Sequence, residues 1–261
     1  MGLLRFFLTY VRSNFQVALE YRVSFWVQVL AMALNDTMWI VFWGVFFARF
    51  PVVHDYGLAD VITVWSVAAL AIGLASGLFG GAYRYAGEVA RGRLDFYLVL
   101  PKPVLFHLAI SSMSVSAWGD VLFGLAAYLA VVRPGPGTLA LFLFLTLASA
   151  AVFVAYSILA NALAFWLGNA EGFARQLMEA LITFSLYPSA LFSGAVKLLL
   201  FTLIPAGFIA YIPVELLRAW SWPLALALLA AAAGGLALAR LVFYAGLRRY
   251  ESGNTLAMRE S

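Results

Sequence analysis

Long apolar segments separated by short polar breaks dominate this sequence and restrict the folds that it can adopt. Of its 261 residues, 65% are hydrophobic and only 11% are charged, whereas soluble domains are about 45–50% apolar and about 25% charged. The chain therefore has too few charges to cover a soluble surface of its size. This composition predicts an all-α polytopic membrane protein.

Six segments have the length of about 20 mostly apolar residues that a helix needs to cross a bilayer. We expect transmembrane helices at about 21–48, 60–82, 104–132, 139–166, 174–193 and 223–246, in a single transmembrane domain of residues 21–261. The stretch 193–222 is also apolar, but it contains Pro205 and Pro213, and proline inside a helix kinks or ends it. We interpret 193–222 as an outer re-entrant hairpin between the fifth and sixth spans.

The distribution of basic residues favours six spans over seven. With a cytoplasmic N-terminus, six spans leave 12 of the 16 Lys and Arg residues inside and four outside, whereas seven spans leave nine and seven. Basic residues are enriched in cytoplasmic loops of membrane proteins. The sequence therefore predicts that both termini are cytoplasmic.

Residues 1–20 have the pattern of an amphipathic helix. Leu4, Phe7 and Val11 follow one helical face, and Arg5 and Arg12 follow the other. This pattern predicts an interfacial helix that lies in the plane of the membrane surface before the first span. The alternative is a frayed cytoplasmic tail.

A compact charged segment, GEVARGRLDFYLVLPKP at 87–103, separates the second span from the third. We call it the charged strip. Glu88, Arg91 and Asp95 are three and four residues apart, so one short helix would carry all three on one face, with Arg93 beside them. Such a helix suits docking into a groove on a cytosolic protein. The alternative is an interfacial loop that only satisfies the charge bias.

Polar residues inside the predicted spans need a partner, a watery cavity or a proton, because a charge at the bilayer centre costs about 2.5–3.5 kcal/mol. Asp36, beside Asn35, and Asp120 lie deep in spans, and Asn161 is a third candidate. These residues either line a polar pathway or clamp helices together. The glycines at 73, 77 and 81 likewise indicate close helix packing, either within the chain or between subunits.

Signals of enzymatic chemistry are weak. The chain has no cysteine and two histidines, His54 and His107, and it lacks HExxH, Walker A and GxSxG motifs. We expect no catalytic residue, no metal site and no bound cofactor, and we interpret the net charge of +4 as orientation in the membrane rather than nucleic-acid binding. Energy for uphill transport would come from an ion gradient or from another polypeptide. Without a convincing repeat between the two halves, we favour another polypeptide.

Several segments together resemble the permease subunits of ABC-2 type ABC transporters, in the subgroup with one ATPase gene and two permease genes. These segments are ALEYRVSF at 18–25, GRLDFYLVLPKPV at 92–104, FSLYPSALFSG at 184–194, IPAGFIAYIPVELL at 204–217 and GLRRYESGN at 246–254. The resemblance extends over nearly the full chain. It rests on the order of the segments rather than on one diagnostic motif.

The resemblance implies a role for each region. Residues 83–103 would form a cytoplasmic coupling loop in which Glu88 to Asp95 receive the motion of the ATPase, and residues 1–20 would form a connecting helix. Two permease subunits, the same or different chains, would enclose the pathway, with Asp36 and Glu179 near it. Two copies of a cytosolic ATPase would bind ATP-Mg, and the complex would export hydrophobic or amphipathic compounds across a prokaryotic inner membrane.

Two other functions are compatible with the residues. A stand-alone gradient-driven carrier would use Asp36 and Asp120 as ion or proton sites. A non-transporting membrane scaffold would use the charged strip only for docking.

Overall fold

The computed structural model describes residues 2–53, 56–187 and 192–250, and about 80% of these described residues are helical, with no β-strand among them. The helices are α1 (Leu3–Glu20), α2 (Arg22–Arg49), α3 (Leu58–Leu78), α4 (Tyr85–Ala90), α5 (Asp95–Leu98), α6 (Val104–Ile110), α7 (Ala117–Val131), α8 (Pro136–Ala162), α9 (Ala164–Leu167), α10 (Glu171–Leu186), α11 (Gly194–Leu199), α12 (Ile212–Arg218) and α13 (Trp222–Leu247). A 3-10 turn occupies Gly80–Tyr83, and a π-helical turn occupies Gly207–Tyr211.

Four helical segments of the described chain are long and apolar enough to cross a membrane. They are α2, α3, the stretch Pro136–Leu167 formed by α8 and α9, and α13. These segments agree with the predicted first, second, fourth and sixth spans. The agreement is close because a long uninterrupted apolar run is the sequence signal that spanning helices require.

Helix α3 lies at the centre of the bundle, where α7, α8 and α10 pack around it. Its glycines allow this close packing: a Cβ on Gly73 would lie 2.8 Å from the Ala117 carbonyl oxygen, and one on Gly77 would meet Trp118. A Cβ on Gly81 would overlap the carbonyl oxygen of Leu108. The glycine series therefore serves packing within this chain.

The predicted third span, 104–132, is wrong as a continuous helix. It is divided into α6 and α7 by the non-helical residues Ser111–Ser116. A Cβ on Gly80 would lie 2.8 Å from the Ser112 carbonyl oxygen, and the Ser114 amide donates to the Ser76 carbonyl at 3.1 Å. The backbone of residues 111–116 therefore contacts residues 76–80 instead of continuing the helix.

The predicted fifth span, 174–193, corresponds to α10, which has only 16 residues. Residues 188–191 of that span lie outside the described part of the chain. Helix α10 begins beside α4 and also packs against α3 and α8.

The segment 192–222 contains two short helices, α11 and α12, rather than one long helix. The π-helical turn immediately precedes α12, in which Pro213 is the second residue. Proline lacks an amide hydrogen and its ring clashes with the carbonyl four residues earlier, so a wider turn relieves that clash. Residues 201–205 line a cavity together with residues 152–160 of α8. The segment therefore extends along α8 beyond its midpoint.

Loops and helix ends gather at two ends of the bundle. One end, which we call the strip end, carries α4, α5, the N-terminal end of α10 and the C-terminal end of α13. The other, which we call the Arg218 end, carries the start of α3 and the close of α12. Helix α1 packs near the strip end, where the Asn14 side-chain amide donates to the Ile110 carbonyl at 3.2 Å.

Candidate functional site

A cavity of about 310 Å³ lies between α2, α3, α7 and α10. Asn35 and Asp36 line it from α2, and Asp120 lines it from α7. The non-helical segment contributes Ser114 and Ser116 to the same wall. Non-helical backbone at membrane depth is tolerated where it lines such a cavity. The break in the predicted third span therefore coincides with the polar wall of this cavity.

Asp36 and Asp120 meet across the α2–α7 contact, although 84 positions separate them in the sequence. Asp36 is 4% exposed and Asp120 is 7% exposed, and the Asp36 carboxyl interacts with the side chains of both Asp120 and Asn35. Its Oδ2 atom has no hydrogen-bond partner among the described residues. The structure thus brings together Asn35, Asp36 and Asp120, three of the residues predicted for a translocation path.

Glu179, which the resemblance also places near the pathway, lies apart from these three. It is exposed on α10 and interacts electrostatically with Tyr83, which lines the cavity together with Arg84. Glu179 is therefore a neighbour of a cavity residue and not part of the buried acidic pair.

Two tryptophans form the aromatic wall of the cavity. The rings of Trp39 on α2 and Trp65 on α3 are stacked, with centroids 5.5 Å apart and an angle of 28° between their planes. The Trp65 side chain is buried, and its indole Nε1 has no hydrogen-bond partner in the described chain. The sequence analysis did not identify Trp65 as a candidate site residue.

The charged strip forms two helices instead of the single predicted helix. Helix α4 ends at Ala90, and Gly92 follows with a φ angle of 66°, in the left-handed region that favours glycine. Asp95 then begins the separate helix α5. The prediction that Glu88, Arg91 and Asp95 share one helical face is therefore wrong.

Within the strip, Glu88 forms ion pairs with two arginines. Arg91 Nη2 lies 3.1 Å from Glu88 Oε1, and Arg93 Nε lies 3.6 Å from Glu88 Oε2. Arg91 Nη1 also lies 3.5 Å from Glu171 Oε2 at the start of α10. Sequence reasoning missed Glu171, because nothing in the sequence links it to a loop 80 residues earlier. Asp95 instead lies beside Tyr250, whose pKa is raised by burial and by this carboxylate.

The strip presents apolar side chains as well as charges. Val89 and Leu94 are buried in the bundle, whereas Phe96, Leu98 and Val99 are exposed. The outer face of the strip therefore combines charged groups with exposed apolar ones.

His107 connects the strip to the N-terminal helix. Its buried ring lies among the rings of Phe6 and Tyr10 from α1 and of Phe96 and Tyr97 from α5, with centroids 5.0 to 6.3 Å away. The Tyr10 hydroxyl and His107 Nε2 form a hydrogen bond. Burial raises the pKa of Tyr10. Sequence reasoning attributed no such role to His107.

Asn161 is a structural clamp rather than a pathway residue. Its Oδ1 accepts from the Ala86 amide at 3.1 Å, and its Nδ2 donates to the carbonyls of Tyr83 at 3.2 Å and Ser157 at 3.0 Å. All these contacts are with backbone groups at the close of α8 and the start of α4.

The Arg218 end carries a second cluster of charges. Arg218 Nε donates to Asp60 Oδ1 at 3.0 Å, and its guanidinium lies over the Tyr56 ring, 4.5 Å from the centroid. Asp60 also accepts from the Gly57 amide at 2.8 Å, and Tyr56 donates to Glu215 at 3.1 Å. The hydrogen bond to Asp60 raises the pKa of Arg218. This cluster joins α12 to the start of α3. His54 lies outside the described residues.

Residues 33–254 match a family model described as an ABC-2 family transporter protein. The match includes all but one of the residues that line the cavity, the charged strip and the segment 192–222. No curated protein and no solved structure gives a significant match.

Proposed function

Because the chain belongs to the ABC-2 transporter membrane family, we propose that it is the permease subunit of an ATP-driven exporter and that its charged strip receives the motion of a separate ATPase. Family membership and the apolar helices make it a multi-pass membrane protein with a permease role. Membership also implies association with an ABC ATPase. The direction of transport, the coupling element and the composition of the complex are the proposal.

The proposed topology has six spans and two cytoplasmic termini. The spans are α2, α3, α6 with α7, α8 with α9, α10 and α13, with α1 at the membrane surface and 192–222 as the outer re-entrant hairpin. The arrangement of basic residues supports this orientation. The strip end gathers Arg84, Arg91, Arg93, Lys102, Arg175, Arg248 and Arg249, whereas Arg49, Arg133 and Arg218 are at or near the other end. A cytoplasmic strip end satisfies the positive-inside rule.

The proposed complex contains two copies of the ATPase and a second permease subunit, which is a second copy or a different chain. The resemblance to the subgroup with one ATPase gene and two permease genes favours a different chain. The ATPase binds ATP-Mg and hydrolyses it, and this chain has no enzymatic role. We place the complex in a prokaryotic inner membrane.

The outer face of the strip is the observation that supports coupling most directly. The strip carries both charged groups and exposed apolar side chains, and Phe96 is 63% exposed. Exposed aromatic residues surrounded by charges are typical of protein interfaces. The buried residues of the same loop fix it to the bundle, so a partner that binds the strip also moves the helices beneath it.

Affinity purification from native membranes, with mass spectrometry of the bound proteins, tests this proposal. The wild-type chain is expected to retain an ATPase with a Walker A motif. The triple variant Glu88→Lys, Arg91→Glu, Asp95→Lys keeps opposite charges at positions 88 and 91 but reverses the surface pattern, so it is expected to insert normally and lose the ATPase.

The matched control reverses the charges at the opposite end of the bundle, with Asp60→Lys and Arg218→Glu together. This double variant is expected to keep the ATPase. A wild-type chain that purifies without any ATPase, or a triple variant that retains it fully, would contradict the coupling role of the strip.

A gradient-driven carrier is the second candidate function, and the buried pair of Asp36 and Asp120 is the observation that favours it. Buried acids in membrane proteins often belong to ion or proton pathways. Transport into proteoliposomes that contain only this chain, driven by an ion gradient without ATP, would support the carrier over the exporter.

A further inference from the structure

We infer that the cavity between α2, α3, α7 and α10 binds the cationic group of an amphipathic aromatic compound. Because the inference names the substrate class of the permease, its consequence for transport rests on the proposed function. The binding itself can be measured without ATP and without an ATPase.

The first argument concerns charge. Asp36 and Asp120 are each less than 10% exposed and their side chains interact with each other, and two buried carboxyl groups this close share a proton rather than ionise together, which leaves one negative charge on the pair. Arg84 is the basic residue on the cavity wall, but it is exposed and forms no ion pair with either acid among the described residues. A positive group of a ligand in the cavity pairs with the negative charge that the two acids carry.

The second argument concerns unsatisfied polar atoms. Asp36 Oδ2 and Trp65 Nε1 are both buried, both belong to cavity-lining residues, and neither has a hydrogen-bond partner in the described chain. Leaving a buried polar group without a partner costs about 1–3 kcal/mol. An ammonium N–H donates to Asp36, and an oxygen of the same ligand accepts from the Trp65 indole. The two atoms thus define a complementary donor and acceptor.

The third argument concerns the remaining walls. The stacked rings of Trp39 and Trp65 offer an aromatic surface to a cation or to a flat ring. Ala69, Ile72 and Leu186 supply apolar surface nearby. The volume of about 310 Å³ falls at the small end of the range for organic ligands, which is about 300–1,000 Å³. A proton alone requires no such space.

Helix packing does not account for the acidic pair. Gly119 already brings α7 against α2, because a Cβ at this position would lie 2.4 Å from the Val29 carbonyl oxygen. Helix α7 is also packed against α3 through Gly73 and Gly124. The backbones are therefore in contact without the help of Asp36 or Asp120.

The test compares two probes of the same shape. Isothermal titration calorimetry on the purified chain in nanodiscs measures the binding of 2-(naphthalen-2-yl)ethylammonium and of the uncharged alcohol 2-(naphthalen-2-yl)ethanol. The amine is expected to bind at least about tenfold more tightly than the alcohol, since removing one partner of a buried charge pair costs about 2–5 kcal/mol.

Variants of the chain locate the site. Asp36→Asn is expected to weaken amine binding at least about tenfold and to leave alcohol binding nearly unchanged. Trp65→Phe keeps both acids and is expected to weaken amine binding about threefold. Glu20→Gln removes the same charge from an exposed position on α1 and serves as the matched control.

Equal affinity for amine and alcohol in the wild-type chain would overturn the inference, and so would unchanged amine binding in a folded Asp36→Asn variant. If Asp36→Asn does not fold, the wild-type preference for the amine and the response of Trp65→Phe decide the question. A chain that binds the amine but retains no ATPase would refute the exporter and leave this site standing, and the reverse result would do the opposite.

Discussion

Two clusters of ion pairs lie at opposite ends of the bundle, and they differ in what surrounds them. At the Arg218 end, the guanidinium and the Asp60 carboxylate are each about 30% exposed, an aromatic ring lies beneath the guanidinium, and a backbone amide binds the carboxylate. At the strip end, Arg91 and Glu171 are about half exposed, and Phe96 of the same strip is 63% exposed.

The difference shows that similar residues serve two purposes. The Arg218 cluster satisfies its own charges and fixes the segment before α13 to the start of α3. The strip leaves charges and apolar groups available to another surface. Four predictions test this contrast, from the largest expected effect to the smallest.

The largest effect is expected for Phe96→Ala. Truncating an exposed aromatic anchor of an interface costs about 2 kcal/mol, which corresponds to about 30-fold weaker binding. We therefore expect about 30-fold weaker association of the permease with its ATPase, measured by titrating the purified ATPase onto the chain in nanodiscs.

Phe50→Ala is the matched control for this prediction. Phe50 is 53% exposed, against 63% for Phe96, and it directly follows the C-terminal end of α2, away from the strip end. This variant is expected to bind the ATPase like the wild type. Equal losses of ATPase binding in both variants would mean that the two ends of the bundle contribute equally to ATPase binding.

The second prediction compares stability. Arg218→Ala removes a hydrogen-bonded ion pair and a cation–π contact, and we expect a loss of about 1–2 kcal/mol, after allowance for partial exposure. Arg91→Ala removes exposed pairs, which contribute about 0–1 kcal/mol. Unfolding of both variants in detergent, followed by tryptophan fluorescence, measures the difference. The contrast between the two ends fails if Arg91→Ala destabilises the chain as much as Arg218→Ala.

The third prediction concerns salt. Raising ionic strength from 0.1 M to 1 M shortens the screening length from about 10 Å to about 3 Å, so exposed charges lose most of their attraction. We expect ATPase association to weaken about fivefold over this range, while the unfolding midpoint of the permease changes little. Salt-independent association would indicate that the apolar residues of the strip dominate the contact.

The smallest effect is expected for Gly87→Ala in α4. The added Cβ would lie 2.4 Å from Arg91 Nη2 and 2.7 Å from Glu171 Oε2, so the mobile end of Arg91 must move while the helix remains. We expect stability close to wild type and a two- to threefold loss of ATPase stimulation by the permease, about 0.5 kcal/mol. The control is Gly44→Ala, since a Cβ there meets no atom within 4 Å.

Hydrophobic length made the four long spans predictable, because each of them is an apolar run of sufficient size. The break at Ser111–Ser116 was not predictable in the same way. It depends on the close approach of Gly80 and Gly81 to a backbone that follows them by about 30 positions. Hydropathy reports how apolar a segment is and not which backbone it contacts.

The candidate site shows the same limit. Burial cost correctly singled out Asp36 and Asp120 as residues that need an explanation, yet their mutual contact depends on how α2 and α7 are placed by Gly119. In the strip, helical spacing predicted that Glu88 and Arg91 lie on one face, and the two residues form an ion pair. The same spacing failed for Asp95, because Gly92 ends the helix before it.

Asn161 gives the strip a mechanical property. Its one side chain holds Tyr83 and Ala86 on one side and Ser157 on the other through three hydrogen bonds of 3.0 to 3.2 Å. A displacement of the strip is therefore transmitted directly to α8, because these hydrogen bonds leave the start of α4 little freedom to move separately. We expect α4 and α8 to move as one rigid unit, in which a small displacement at α4 becomes a larger one at the far end of the longer helix, α8.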